Sequence, residues 1–231
     1  MLKKEESVKF IGKAVLFAAL CLVIAGISYI FVPYDQKLIL FSDKYFVSFK
    51  AFPYTYFMFW FFMFLQAMIM IGIVSLFNNL DDSLNTPFFY WSSKLTTFGY
   101  LLMGLTYISR LYYMPKVTSE YLSSSDNVRE VIIANGTMEF DKFLMSFGFA
   151  SIWFLTVAIL SIKNNLFNLP IKILNFVCSF GYCIGLVGYF VQARILTTSS
   201  SILVIFFPIW AISISRYSKK ELTIKSKMEA A

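Results

Sequence analysis

Histidine is absent from the 231 residues. That removes the usual haem ligand, the commonest metal ligand and the commonest general base together. Haem-bearing electron carriers and His-rich membrane hydrolases or desaturases are therefore poor readings. Charge is scarce as well: Asp, Glu, Lys and Arg make up 14% of the chain, against about 25% in ordinary soluble domains. No charged residue lies in the middle of an apolar run, which argues against a pump built on a buried carboxylate and against a Schiff-base lysine. The three cysteines, Cys21, Cys178 and Cys183, all fall inside apolar runs. They read as small buried residues, not as a disulfide scaffold or a thiolate metal site. No catalytic motif is recognisable, so the expectation is no catalytic residue, no metal and no cofactor.

What fills the chain instead is apolar surface. Hydrophobic residues reach 58%, and Phe alone occurs 27 times. A soluble domain of this size could not hide so much, whereas a bilayer solvates it directly. Six apolar segments emerge, at 14–32, 54–77, 95–113, 143–162, 171–191 and 195–215. Each is near the roughly 20 residues that a bilayer core requires. The pattern predicts an all-α, polytopic transmembrane bundle, six helices in three antiparallel hairpins, forming one domain over residues 1–231. The first segment has a long core and no convincing small-x-small cleavage site, so it reads as an uncleaved anchor.

The net charge of +7 is no sign of nucleic acid. Its lysines gather at the chain ends: Lys3, Lys4, Lys9 and Lys13, then Arg216, Lys219, Lys220, Lys225 and Lys227. Anionic headgroups and the positive-inside rule favour that placement, which puts both termini on the cytoplasmic side. Among the longer outer loops, Asp126–Ile133 reads as a short amphipathic helix, capped by Asp126 or Asn127 and ended by Asn135-Gly136. Pro53 and Pro170 sit at helix starts. Pro208 falls inside the sixth segment, which it should kink or loosen.

Helices in lipid meet through small and polar residues. Ala14, Ala18, Cys21, Ala25 and Ser28 form one small-residue seam on the first helix, and Cys178, Gly181, Gly185 and Gly188 a second on the fifth. Both predict close helix contacts, within the chain or to a protein partner or second copy. Thr96, Gly99, Thr106 and Arg110 share a face of the third helix; Asp141, Gly148, Ser151 and Ala158 share one of the fourth. Arg110 and Asp141 should meet at one depth near the outer surface, close to Gln192 and Arg194. Such charges either staple the hairpin or bind a ligand. Gln66 is the one strongly polar side chain near the middle of the second helix. The tentative ligand site is thus Gln66, Arg110, Asp141, Gln192 and Arg194.

The Leu76-Phe77-Asn78-Asn79-Leu80 connection, the Leu169-Pro170 start of the Gly181/Gly185/Gly188 helix and the Phe206-Phe207-Pro208-Ile209-Trp210 segment are similar to a broad group of bacterial six-span membrane proteins of unknown function. The resemblance implies an α-helical fold in a bacterial cytoplasmic membrane and supplies no activity. The expectation is a non-enzymatic accessory, sensory or protective membrane component whose main partner is the bilayer. A small-molecule or lipid carrier, with its site near the outer ends of the third and fourth helices, is the alternative. A lipid-modifying enzyme ranks third.

Overall fold

Helix boundaries follow local chemistry. The computed structural model describes residues 4–37, 42–135, 141, 144–191 and 193–229, without the side chains of 135, 194, 197, 198 and 224–229. Among these residues every regular element is a helix: α1 (Lys4–Phe31), α2 (Asp43–Ala51), α3 (Tyr54–Leu76), α4 (Pro87–Ser123), α5 (Asp126–Asn135), α6 (Met145–Lys163), α7 (Leu169–Phe190), α8 (Arg194–Ser199) and α9 (Leu203–Glu229). Ser42 caps α2 by accepting from the Tyr45 N–H, Thr86 caps α4 through Phe89, and Asn168 caps α7 through Ile171. In each case a side-chain oxygen takes one of the donors that the first turn leaves unsatisfied. Pro87 and Pro170 occupy first-turn positions where a missing N–H costs little.

Five helical segments are long and apolar enough to cross a membrane: Lys4–Phe31, Tyr54–Leu80, Met145–Lys163, Leu169–Phe190 and Ser200–Thr223. The third segment expected from the sequence, 95–113, is not among them, although it lies within α4, the longest helix. The helices pack in cyclic order, α1 on α3, α3 on α4, α4 on α6, α6 on α7, α7 on α9 and α9 back on α1. The closing pair is antiparallel: Gly12 faces Ser218 and Gly26 faces Val204. The start of α1 and the end of α9 therefore share one end of the ring, here the terminal end. There Lys4 also reaches Asp82, in the turn between α3 and α4, at 2.6 Å.

Several boundaries differ from the apolar windows. Helix α1 starts ten residues before Ala14, since a charged first turn carrying Glu5 and Glu6 is compatible with helix but not with a hydropathy window. Helix α4 runs on to Ser123, so part of the expected outer loop is helical. The expected surface helix forms as α5, and α2 joins it without having been foreseen. Pro208 lies in an unbroken α9; the irregularity comes earlier, as the 3-10 turn Ser200–Ile202. Pro208, the sixth residue of α9, leaves the Val204 carbonyl without its helical N–H partner, yet the helix runs on through it. Cys183 is exposed, unlike buried Cys21 and Cys178.

The small-residue seams work as notches for side chains. Ala18, Cys21 and Ala25 are fully buried. On α7, a Cβ built on Gly181 would come within 2.8 Å of Leu203, and one on Gly185 within 2.7 Å of the Phe147 ring. On α4, a Cβ at Gly99 would meet Phe149 at 3.1 Å and the Ser146 backbone at 3.3 Å. There the obstacle is chain, not the end of a flexible side chain. Gly99→Leu and Gly185→Leu should each lower thermal stability in detergent, by about 1–3 kcal/mol for overpacking, with Gly99 the worse. Exposed Val187→Ala, on the outer face of α7, should stay within about 0.5 kcal/mol. Equal effects in thermal melts would place the seam on the lipid face.

Candidate functional site

The interior of the ring is graded from apolar to polar. Toward the terminal end it is filled by Phe77, Trp153, Phe154, Phe207 and Trp210, all fully buried. Their rings meet in edge or tilted contacts: Phe77–Trp153 at 4.9 Å, Phe154–Trp210 at 5.1 Å and Phe207–Trp210 at 5.3 Å. Neither indole N–H is wasted. Trp153 donates to Ser93 Oγ at 3.2 Å, and Trp210 to Asn175 Oδ1 at 2.8 Å. A buried indole without such a partner would cost a desolvated donor.

Halfway along the ring the filling turns polar. The hydroxyls of Tyr100 on α4 and Tyr182 on α7 are 3.2 Å apart across the interior. The Gln66 amide of α3, 2% exposed, reaches toward the Tyr182 hydroxyl. Even so, its Nε2 makes no hydrogen bond of good geometry. One level further from the terminal end stands Tyr107, next to Thr106, which Asp141 contacts, and packed on Trp60.

Asp141 is 6% exposed and sits in the turn before α6. Its carboxylate accepts from the N–H and hydroxyl of Ser146, in the first turn of that helix. Its own N–H donates to Thr106 Oγ1 of α4 at 3.0 Å. A carboxylate at this place satisfies an end donor and faces the positive pole of the helix dipole. Leu144, at φ 50°, turns the chain into α6. Arg110, half-buried one turn beyond Thr106, lays its guanidinium over the Trp60 ring at 4.3 Å, and Trp60 in turn packs on Tyr107 at 5.2 Å. Ion pairs among the described residues include Lys4–Asp82, Lys9–Glu5 and Arg129–Asp126.

Of the five residues singled out from the sequence, Gln66, Arg110 and Asp141 thus join one column through Tyr107 and Tyr182. Gln192 lies outside the described residues, as does the side chain of Arg194. Sequence reasoning missed Tyr100, Tyr107 and Tyr182, the groups that link the column. The available signal was their spacing: Thr96, Tyr100, Met103 and Tyr107 recur every three or four residues on the face that also holds Gly99 and Thr106. Among protein-family models, curated proteins and solved structures, nothing matches this chain.

The partners of Asp141 define a test. In double-mutant cycles on thermal stability, Asp141→Asn with Ser146→Ala should couple by about 1 kcal/mol or more, since a charge-assisted hydrogen bond joins them. Asp141→Asn with Arg110→Gln should couple less. The reverse order would make the arginine, not the helix end, the partner that holds Asp141.

Proposed function

We propose that the chain is a six-span, non-enzymatic component of a bacterial cytoplasmic membrane, both termini cytoplasmic, acting as an accessory or sensory element. The sixth crossing is assigned to α4. No stretch of α4 is apolar enough on average to be counted as a crossing, but its two sides are opposites. Phe98, Leu101, Leu105, Ile108 and Tyr112 are exposed, while Ser92, Thr96, Thr106 and Ser109 are buried with Tyr100 and Tyr107. Apolar outside and polar inside is what lipid asks of a helix in a bundle. Flanked by α3 and α6, both apolar enough to cross, α4 supplies the even count that two terminal segments at one end require.

The aromatic filling is the observation that carries the functional reading. A route for a solute through the ring would have to displace five fully buried rings, two of them anchored by hydrogen bonds. That favours a rigid body that engages partners at its surface over one that moves cargo through its middle. Histidine's absence removes the commonest general base and supports a non-enzymatic role. The carrier reading is favoured by one specific feature, the unused Gln66 donor facing the Tyr100–Tyr182 pair. A small polar molecule would find there a donor and two hydroxyls.

Topology and transport are separately measurable. Reporter fusions near Asp81 and after Lys219 should read cytoplasmic, and fusions near Lys44 and Ser124 external. Asp81 and Ser124 on the same side would mean that α4 does not cross. In liposomes the purified protein should release entrapped protons, potassium or glycerol no faster than protein-free vesicles. A flux above that background that is lost in Gln66→Leu would establish the carrier instead.

A further inference from the structure

At the end of the ring opposite the termini, α2, the first turn of α3 and the last turns of α4 enclose a groove of about 470 Å³. We propose that this groove binds one anionic phospholipid, its phosphate held by Lys50, Thr118 and Ser119 and its upper acyl chain by the apolar walls. The proposal rests on the membrane reading above only for the depth at which the groove lies.

The lining divides by chemistry. Phe49, Phe57, Pro115 and Leu122 make it apolar, and Lys50 is its one charged residue, with no carboxylate beside it in the wall. Among the described residues no ion pair engages Lys50. Thr118 is 4% exposed, yet its buried hydroxyl oxygen makes no hydrogen bond. A buried hydroxyl left unmatched costs roughly 1–3 kcal/mol, so an acceptor arriving from outside would recover that loss. Ser123, by contrast, already donates to the backbone oxygens of Ser119 and Glu120. The polar groups available are therefore an ammonium, which can only donate, and two hydroxyls able to donate alongside it, a set that suits an anionic acceptor such as a phosphate diester.

Depth selects a lipid over a soluble anion. Phe57 lies in the first turn of α3, which is long and apolar enough to cross a membrane, and Tyr54 in that turn and Tyr112 and Tyr113, just before the groove residue Pro115, are exposed. That is the aromatic belt of a bilayer boundary. A phosphate at Lys50 would sit among headgroups, with the carbon chain below it running past Phe57 and Pro115. The groove's volume falls in the range of small-molecule sites and holds a headgroup with a few methylenes, not a whole lipid. A zwitterionic choline lipid would bring its own cation toward Lys50, so the net negative headgroup is preferred.

Native mass spectrometry of the full chain in detergent, titrated with phosphatidylglycerol, phosphatidylcholine or inorganic phosphate, tests this. One phosphatidylglycerol should be retained per chain, with affinity about tenfold weaker in Lys50→Gln and about threefold or more weaker in Thr118→Val. Lys44→Gln, on α2 but outside the groove, should leave it unchanged. Thr118→Val keeps the side-chain shape and removes an unmatched hydroxyl, so it should fold as well as the parent. Equal affinity for phosphatidylcholine, displacement of the lipid by inorganic phosphate, or an equal loss in Lys44→Gln would each overturn the assignment. So would undiminished binding in the two groove variants.

Discussion

Lipid gives two helices no hydrophobic reason to meet, because its tails are as apolar as leucine. The contacts that hold this ring together are accordingly polar or steric. Thr96 on α4 donates to the Phe149 carbonyl of α6. Ser151 and Ser179 clasp α6 to α7 reciprocally, each hydroxyl donating to the other residue's carbonyl at 2.9 Å. Trp210 on α9 reaches Asn175 on α7. Around these bonds, Phe147 and Leu203 enter the notches left by Gly185 and Gly181. The order of helices in the ring depends on which neighbour offers a carbonyl or a notch at the right height.

Beyond the far end a different rule applies. Tyr45, Phe46 and Phe49 of α2 bury themselves against Tyr56 of α3 and Met114 and Tyr121 of α4, with Ile132 and Ile133 of α5 packed on the margin. Phe46 stacks on Tyr121 at 4.1 Å, and Phe49 meets Tyr56 edge-on at 5.1 Å. This is a small core outside the ring, built by burying aromatic area. It accounts for the length of α4, whose last turns pack into it. Its 37 residues span about 55 Å at 1.5 Å per residue, against a hydrocarbon core of about 30 Å. The excess forms one wall of this cap.

The difference between the two packing regimes decides what was legible in the sequence. Five of the six long helices show as apolar runs, because a face in lipid and a face in a tight seam are both apolar. Helix α4 shows too, but its ends do not: hydropathy stops at charge, and helix does not. The cap was half visible. The spacing in Asp126–Ile133 announces α5, whereas α2 is preceded by a Ser42-Asp43 capping signal and carries Tyr45, Phe46 and Phe49 at helical spacing, all inside a segment read as loop. Within the site, Arg110 and Asp141 stand at the end and the start of consecutive apolar segments, which predicts a shared depth but not what each touches. Charge suggested a mutual pair; the turn before α6, formed by residues far more local, offers Asp141 the Ser146 donors instead. The tyrosines went unseen because a Tyr inside an apolar run counts as one more aromatic until its hydroxyl is known to point inward.

That inward polarity separates the column from the filling below it. Each buried indole in the filling has an acceptor, and the rings close on one another, so this part of the interior has nothing further to offer a ligand. The Gln66 level is less complete: two tyrosine hydroxyls share a single contact, and an amide donor is left over in a site 2% exposed. An interior optimised only for stability would place an apolar side chain at Gln66, since an unmatched buried donor costs more than a well-packed hydrophobe. Selection for packing therefore accounts for the filling, and a requirement for polarity at mid-ring has to account for Gln66.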